Sequence, residues 1–124
     1  MLRAISFVSF VYDVVVGAAL LFAAPAVASF FRIPLPTPAV LGDTNGLLLI
    51  AIGLGYLLPW RDPVTWRAYL WIMGPLLKGG GAIVFIRDAV VRQSPAAFLL
   101  FALSDGTLAV LTLIALLKAR PATR

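Results

Sequence analysis

The sequence predicts an all-α fold: a four-transmembrane-helix bundle with short loops and both termini in the cytoplasm, making a single integral membrane domain over residues 1–124. Three observations carry this. The chain is 62% hydrophobic and 12% charged, whereas an ordinary soluble domain is about 45–50% apolar and about 25% charged. Four apolar stretches of about the 20 residues that a spanning helix needs follow one another along it. Segments rich in proline and charge separate these stretches. A core built from 124 residues could not hide so much apolar surface from water, and lipid can.

The first span covers about residues 4–24. Pro25 follows it, and residues 26–31 form a short interfacial continuation. Arg32-Ile33-Pro34-Leu35-Pro36-Thr37-Pro38 cannot be helical, because each proline lacks an amide hydrogen and pushes the residue before it out of the α region. The second span covers about residues 40–58. Pro59-Trp60-Arg61-Asp62-Pro63 then makes a tight polar turn with a tryptophan at interface depth. The third span covers about residues 66–86 and can run on to Arg92. Ser94-Pro95 has the form of an N-cap followed by proline at the first helical position. The fourth span, about residues 96–117, ends at Lys118-Ala119-Arg120-Pro121. Trp60, Trp66 and Tyr69 are expected as interfacial anchors.

Met1-Leu2-Arg3, an apolar stretch and Ala26-Val27-Ala28 together resemble a secretory signal with a small-residue cleavage site. The apolar part is longer than the usual 7–15 residues, roughly, and holds Asp13 at its middle, so a retained first helix is expected. With four spans, one side of the membrane receives Arg3, Arg61, Arg67, Lys118, Arg120 and Arg124, and the other Arg32, Arg87 and Arg92. The positive-inside rule puts the first group, and so both termini, in the cytoplasm. The net charge of +5 is thereby explained by topology, and nucleic acid is not expected as a partner. The expected location is multi-pass in a bacterial inner membrane.

The chain has no cysteine and no histidine. Thiol chemistry, Ser-His-Asp catalysis, histidine pH switching and the usual zinc and haem ligands are excluded with them. No metal and no cofactor is expected, and with short loops only, an enzyme is not expected either.

Charge inside a spanning segment is costly and points by default to function. Asp13 lies within the first span, Lys78 within the third and Asp105 within the fourth. The second supplies Asn45, with Asp43 nearer its outer end. At 1.5 Å per residue from the cytoplasmic end, Asp13 lies at about 14 Å, Lys78 and Asp105 at about 18 Å, and Asn45 at about 20 Å. Helical spacing groups Ser6, Ser9, Asp13 and Gly17 on one face of the first helix. It groups Gly42, Asn45, Leu49, Gly53 and Tyr56, with Gly46 on the edge, on the second. It groups Gly74, Lys78, Gly81 and Phe85 on the third, and Ala102, Asp105, Ala109 and Thr112 on the fourth. Small residues on such faces allow close approach, so the polar groups are expected to point inward. Pro75 before Lys78, and Gly79, Gly80 and Gly81 after it, are expected to break or kink the third helix. Broken helices at the midplane are typical of transporter sites. Lys78 with Asp13 or Asp105 is equally readable as an ion pair that fixes which helices meet. Asn45 reads as a helix-to-helix hydrogen bond or a ligand contact, and Asp43 as a partner for Arg87 or Arg32.

The apolar first helix, the glycine-rich run Gly46-Leu47-Leu48-Leu49-Ile50-Ala51-Ile52-Gly53-Leu54-Gly55-Tyr56, the turn Arg61-Asp62-Pro63 and the polar residues inside the third and fourth helices form a pattern. In it the chain resembles the small four-helix bacterial membrane proteins of the DoxX-like group. The resemblance implies an accessory or assembly partner of a membrane system; it carries no functional residue over.

Two functions are therefore expected. One is a non-enzymatic accessory or scaffold subunit, in a homo-oligomer or a larger membrane complex, with the lipid bilayer as its surroundings. The other is a small transporter or ligand-binding bundle that uses Asp13, Lys78 and Asp105, with Asp43 and Asn45 as further candidates.

Overall fold

A computed structural model describes residues 1–119 of the chain; Arg120, Pro121 and Arg124, used above to end the last span and to count cytoplasmic charge, lie outside the described residues. Four helices are long and apolar enough to cross a membrane: Leu2–Phe22, Ala39–Arg61, Arg67–Val91 and Phe98–Lys118. Among the described residues everything else is short helix, turn or loop, with no strand.

Prolines set the local breaks. A proline ring collides with the carbonyl four residues earlier and leaves it without a partner. For Pro25 that carbonyl belongs to Leu21, and α1 (Leu2–Phe22) gives out one residue later. The chain turns at Ala23 into α2 (Ala24–Phe31), the short continuation expected from the sequence. For Pro59 the carbonyl belongs to Gly55, where α3 (Ala39–Gly55) ends. The second span bends at Tyr56 and finishes as α4 (Leu57–Arg61).

For Pro75 the carbonyl is that of Trp71, the last residue of α5 (Arg67–Trp71). Here the helix neither ends nor unwinds. It is wound as a π-helix over Ile72–Gly79 and returns to α-helix in α6 (Gly80–Val91). The break expected at Pro75, Gly79, Gly80 and Gly81 is thus corrected to a change of winding. A π turn skips one residue of the ladder, which accommodates the missing proline amide without exposing backbone to lipid.

The Ser94-Pro95 cap does not form. The Ser94 hydroxyl donates instead to the Asp88 carboxylate, and Arg92 Nη1 donates to the same group at 3.1 Å. The last helix, α7 (Phe98–Lys118), begins without a side-chain cap. Charged acceptors bind a hydroxyl more strongly than a backbone amide does, which favours Asp88 over a cap.

Close packing joins α1 to α3, and α7 to the π segment and α6. The first contact rests on two glycines that face each other. A Cβ on Gly17 would lie 2.6 Å from the Gly46 carbonyl oxygen, and one on Gly46 would lie 2.8 Å from that of Gly17. Gly42, Gly53 and Tyr56 of the expected α3 stripe are buried, but Gly46 and not Asn45 lies at its centre: Asn45 is exposed at the edge. In the third span Gly74 packs on the Thr112 side chain of α7.

The end of the bundle that holds the start of α1 and the end of α7 is sealed. Tyr56, Leu70 and Leu116 are fully buried there, with Leu2, Phe10, Ile52, Tyr69 and Met73 against them. Tyr69 belongs to this seal: its hydroxyl donates to the Ile52 carbonyl at 2.6 Å and its ring meets Tyr56 edge-on. Arg67 donates to the Leu116 carbonyl in the last turn of α7. Trp60 and Trp66 are half-exposed beside the Asp62 turn. The Asp62 carboxylate accepts from the Thr65 hydroxyl at 2.6 Å and from the amides of Thr65 and Val64 at 3.2 and 3.1 Å. These bonds, that of the Thr65 hydroxyl first, hold its carboxyl below the usual aspartate range.

At the opposite end the bundle is splayed, since no close packing joins α3 to α6. Gly46→Val is expected to lower the thermal unfolding midpoint in detergent sharply, because the clash is with backbone that cannot yield. Gly80→Ala, whose new Cβ meets nothing within 4 Å, is expected to leave the midpoint unchanged or raise it, by up to about 1 kcal/mol of helix propensity. Equal effects would contradict the packing described.

Candidate functional site

The splayed half of the bundle encloses a cleft of about 630 Å³. One wall is α1, α2 and α3; the other is the π segment, α6 and α7. Val16, Leu20, Val27, Leu49, Phe85 and Phe101 are typical of its sides, which are apolar. Asp13, Lys78, Asp105 and Tyr12 are at its deep end, and Asn45 stands on the α3 wall. Leu41, Leu48 and Leu77 on its rim are about half-exposed, so the cleft opens sideways between the second and third spans.

Each deep residue is positioned by its helix. In α1 the face Ser6, Ser9, Asp13 and Gly17 is buried throughout, as the spacing predicts. Gly53 of α3 lets that helix lie directly on Asp13, with a notional Cβ 3.1 Å from the Asp13 Cβ. Lys78 lies near the end of the π segment and is 5% exposed. The extra residue in the π winding sets the direction in which Lys78 leaves the helix after Pro75. Asp105 lies midway along α7, between buried Ala102 and Ala109.

The three charges meet. Lys78 Nζ donates to Asp13 Oδ1 at 2.6 Å and to Asp105 Oδ1 at 3.5 Å. The two contacts differ in character. Asp13 is 1% exposed and its contact is short, whereas Asp105 is 20% exposed and its contact is at the limit of a hydrogen bond. The ammonium also sits 5.0 Å from the centre of the Tyr12 ring and 5.9 Å from that of Tyr56, within cation–π range. Tyr12 and Ser104 share a hydroxyl–hydroxyl hydrogen bond of 2.6 Å, which ties α1 to α7 beside the ion cluster. Asp13 Oδ2 is buried in the cluster without a hydrogen-bond partner, and the buried hydroxyls of Ser9 and Tyr56 are near one another beside it.

Of the residues singled out in the sequence, Asp13, Lys78 and Asp105 are brought together and Asn45 faces the same cleft. Asp43 is not part of it. Asp43 is exposed, and among the described residues it pairs with neither Arg32 nor Arg87, contrary to expectation. It is the fifth residue of α3, past the first turn, and its side chain is open to the surroundings. Gly81 lines the cleft and would meet nothing within 4 Å if it carried a Cβ. Sequence reasoning missed Tyr12 and Ser104; it placed Tyr56 on the inward stripe of the second helix, where it is buried, but gave it no part in the cluster. One signal was present: tyrosine prefers the membrane interface, and Tyr12 lies mid-span. It also missed Asp88, held by Arg92 and Ser94 at the open end.

Among the described residues no group of three or more acidic side chains suits a metal ion. The arrangement can hold one polar group at depth while its walls hold an apolar body. No family model, no curated protein and no solved structure matches the chain.

Asp13→Asn is expected to destabilise the protein by about 3–5 kcal/mol, the usual cost of leaving one partner of a buried pair uncompensated. Asp105→Asn is expected to cost clearly less, since Asp105 is the more exposed and the more distant partner. Denaturant unfolding of the two variants in one detergent measures the order, and the reverse order would contradict the geometry.

Proposed function

We propose that the chain is a multi-pass membrane protein that binds a small lipophilic molecule in an intramembrane cleft, as a ligand-binding or transport bundle without enzymatic activity. The observation that supports this best is the cleft itself: about 630 Å³ of largely apolar space that ends on a buried Asp13–Lys78–Asp105 cluster. Ligand sites have this composition, a mostly apolar lining with a few convergent polar groups, and volumes of roughly 300–1,000 Å³. A network that only fixed helix packing would be packed over, as Tyr56, Leu70 and Leu116 are at the sealed end.

The proposed location is a bacterial inner membrane with both termini in the cytoplasm. Arg3, Arg61, Arg67 and Lys118 stand at the sealed end, against Arg32, Arg87 and Arg92 at the open end, which supports that orientation. The cleft then opens toward the outer leaflet and is closed toward the cytoplasm.

The second reading is an accessory subunit of the kind that the resemblance to the DoxX-like group suggests. The glycine faces give it little support: Gly17, Gly46, Gly53 and Gly74 are used within the chain. What favours it is an open apolar groove on the outer face of α6 and α7, along Ile86, Leu103, Gly106 and Val110.

Purification in mild detergent followed by extraction and mass spectrometry separates the two. The binding reading predicts a small molecule or lipid that accompanies the wild type and is lost from Gly81→Leu, since Gly81 lines the cleft and an added Cβ there meets nothing within 4 Å. A co-purifying protein subunit, retained by Gly81→Leu and lost on Gly106→Leu, would overturn it in favour of the accessory reading.

A further inference from the structure

Ionisable and hydroxyl groups from all four spans surround the cluster. The first span supplies Asp13, Tyr12 and Ser9; the bend of the second supplies Tyr56; the third supplies Lys78; the fourth supplies Asp105 and Ser104. Two carboxylates therefore share one ammonium. Lys78 is taken up by Asp13 at 2.6 Å, which leaves Asp105 the less matched of the two. Asp105 is also the one that reaches into open space, with 20% of its side chain exposed. Independently, Oδ2 of Asp13 is buried at the cleft without a hydrogen-bond donor. Buried carboxylate oxygens are rarely left so, and each unmet one is costly.

The wall beside Asp105 is aromatic. Phe85 stacks on Phe98 and Phe101 at 6.1 and 5.8 Å, and Phe101 meets Phe31 of α2 at 6.2 Å. Aromatic faces attract cations and repel anions, and the attraction is stronger away from water. A carboxylate open to the cleft and less matched by Lys78, together with an aromatic wall, selects one kind of guest.

We infer that the cleft takes a lipophilic cation, a hydrophobic molecule with one positively charged group, seated with its charge at Asp105 and its body along Phe85, Phe98 and Phe101. This rests on the reading of the cleft as a ligand site. An anion of the same shape would face the uncompensated carboxylate in a medium that screens poorly, and is rejected.

Tetraphenylphosphonium and tetraphenylborate have nearly one shape and opposite charge, which makes them suitable probes. Equilibrium dialysis is carried out with the full chain in phosphatidylcholine nanodiscs, and binding to protein-free discs is subtracted. The wild type is expected to bind the cation saturably at one site per chain and the anion not at all. Asp105→Asn, a change of charge at almost constant volume, is expected to weaken the cation at least about tenfold, given Coulomb energies of a few kcal/mol at such sites. Gly81→Leu is expected to abolish binding by filling the space. Circular dichroism of each variant in the same discs shows that the fold is kept; Phe101→Leu, which changes no charge, is expected to weaken the cation as well. Cation binding that is lost in Gly81→Leu but unchanged in Asp105→Asn overturns the charge assignment and leaves the cleft a ligand site. Anion binding equal to or tighter than the cation does the same. Binding of both probes that is indifferent to Gly81→Leu, or no binding of either, removes the ligand site and the inference with it.

Discussion

The ion pair between Asp13 of the first span and Lys78 of the third is the interaction on which the rest of the structure depends. It is buried, 2.6 Å long and surrounded by apolar helices. Neither partner can be left alone at that depth, because an isolated charge in a medium of low dielectric costs many kcal/mol. The pair therefore dictates which faces of the two helices meet. Once α1 presents Asp13 to Lys78, its next turn presents Gly17 to Gly46, and the second span is laid against it. Asp105 and the Tyr12–Ser104 bond bring the fourth span to the same place. Without a hydrophobic driving force between helices in lipid, such contacts and close glycine packing are what remain to hold a bundle together.

The two ends of the bundle diverge from this centre. Toward the start of α1 and the end of α7 the space is filled by Tyr56, Leu70 and Leu116, and Arg67 fastens the start of the third span to the end of the fourth. Toward the other end the second and third spans separate, and α2 with the proline-rich segment after it lies along the opening. The asymmetry has a sequence origin. Bulky side chains crowd the sealed end, whereas Gly81 and the small α2 residues Ala24 and Ala28 border the cleft. A site that is closed on one side and open on the other is what a binding or transport role requires, and a purely structural charge network does not.

Much of this was legible in the sequence because hydropathy and helical spacing are strong signals in a membrane chain. The four spans agree with expectation to within a few residues, and the inward stripe of Ser6, Ser9, Asp13 and Gly17 is buried as its spacing requires. The convergence of Asp13, Lys78 and Asp105 follows from depth and cost alone. What was not legible depends on backbone detail or on competition between partners. Proline announces an irregularity at Pro75 but does not say whether the chain will unwind or adopt a π turn, and the π turn wins because it keeps the backbone hydrogen-bonded in lipid. Ser94 looks like a helix cap until a carboxylate, Asp88, is found closer to hand. Gly46 rather than Asn45 lies at the centre of its face, because the reciprocal fit to Gly17 turns the helix slightly. The cleft itself could not be read, since periodicity shows which faces are apolar but not where two of them stay apart.

The central claim is that Asp13 and Lys78 stabilise the fold through each other. A double-mutant cycle of Asp13→Asn and Lys78→Met, measured by denaturant unfolding in one detergent, tests it most directly. The account predicts that each single change is strongly destabilising and that the double variant is no worse than the worse single one, a coupling above about 2 kcal/mol. Effects that simply add, to within about 0.5 kcal/mol, would contradict it.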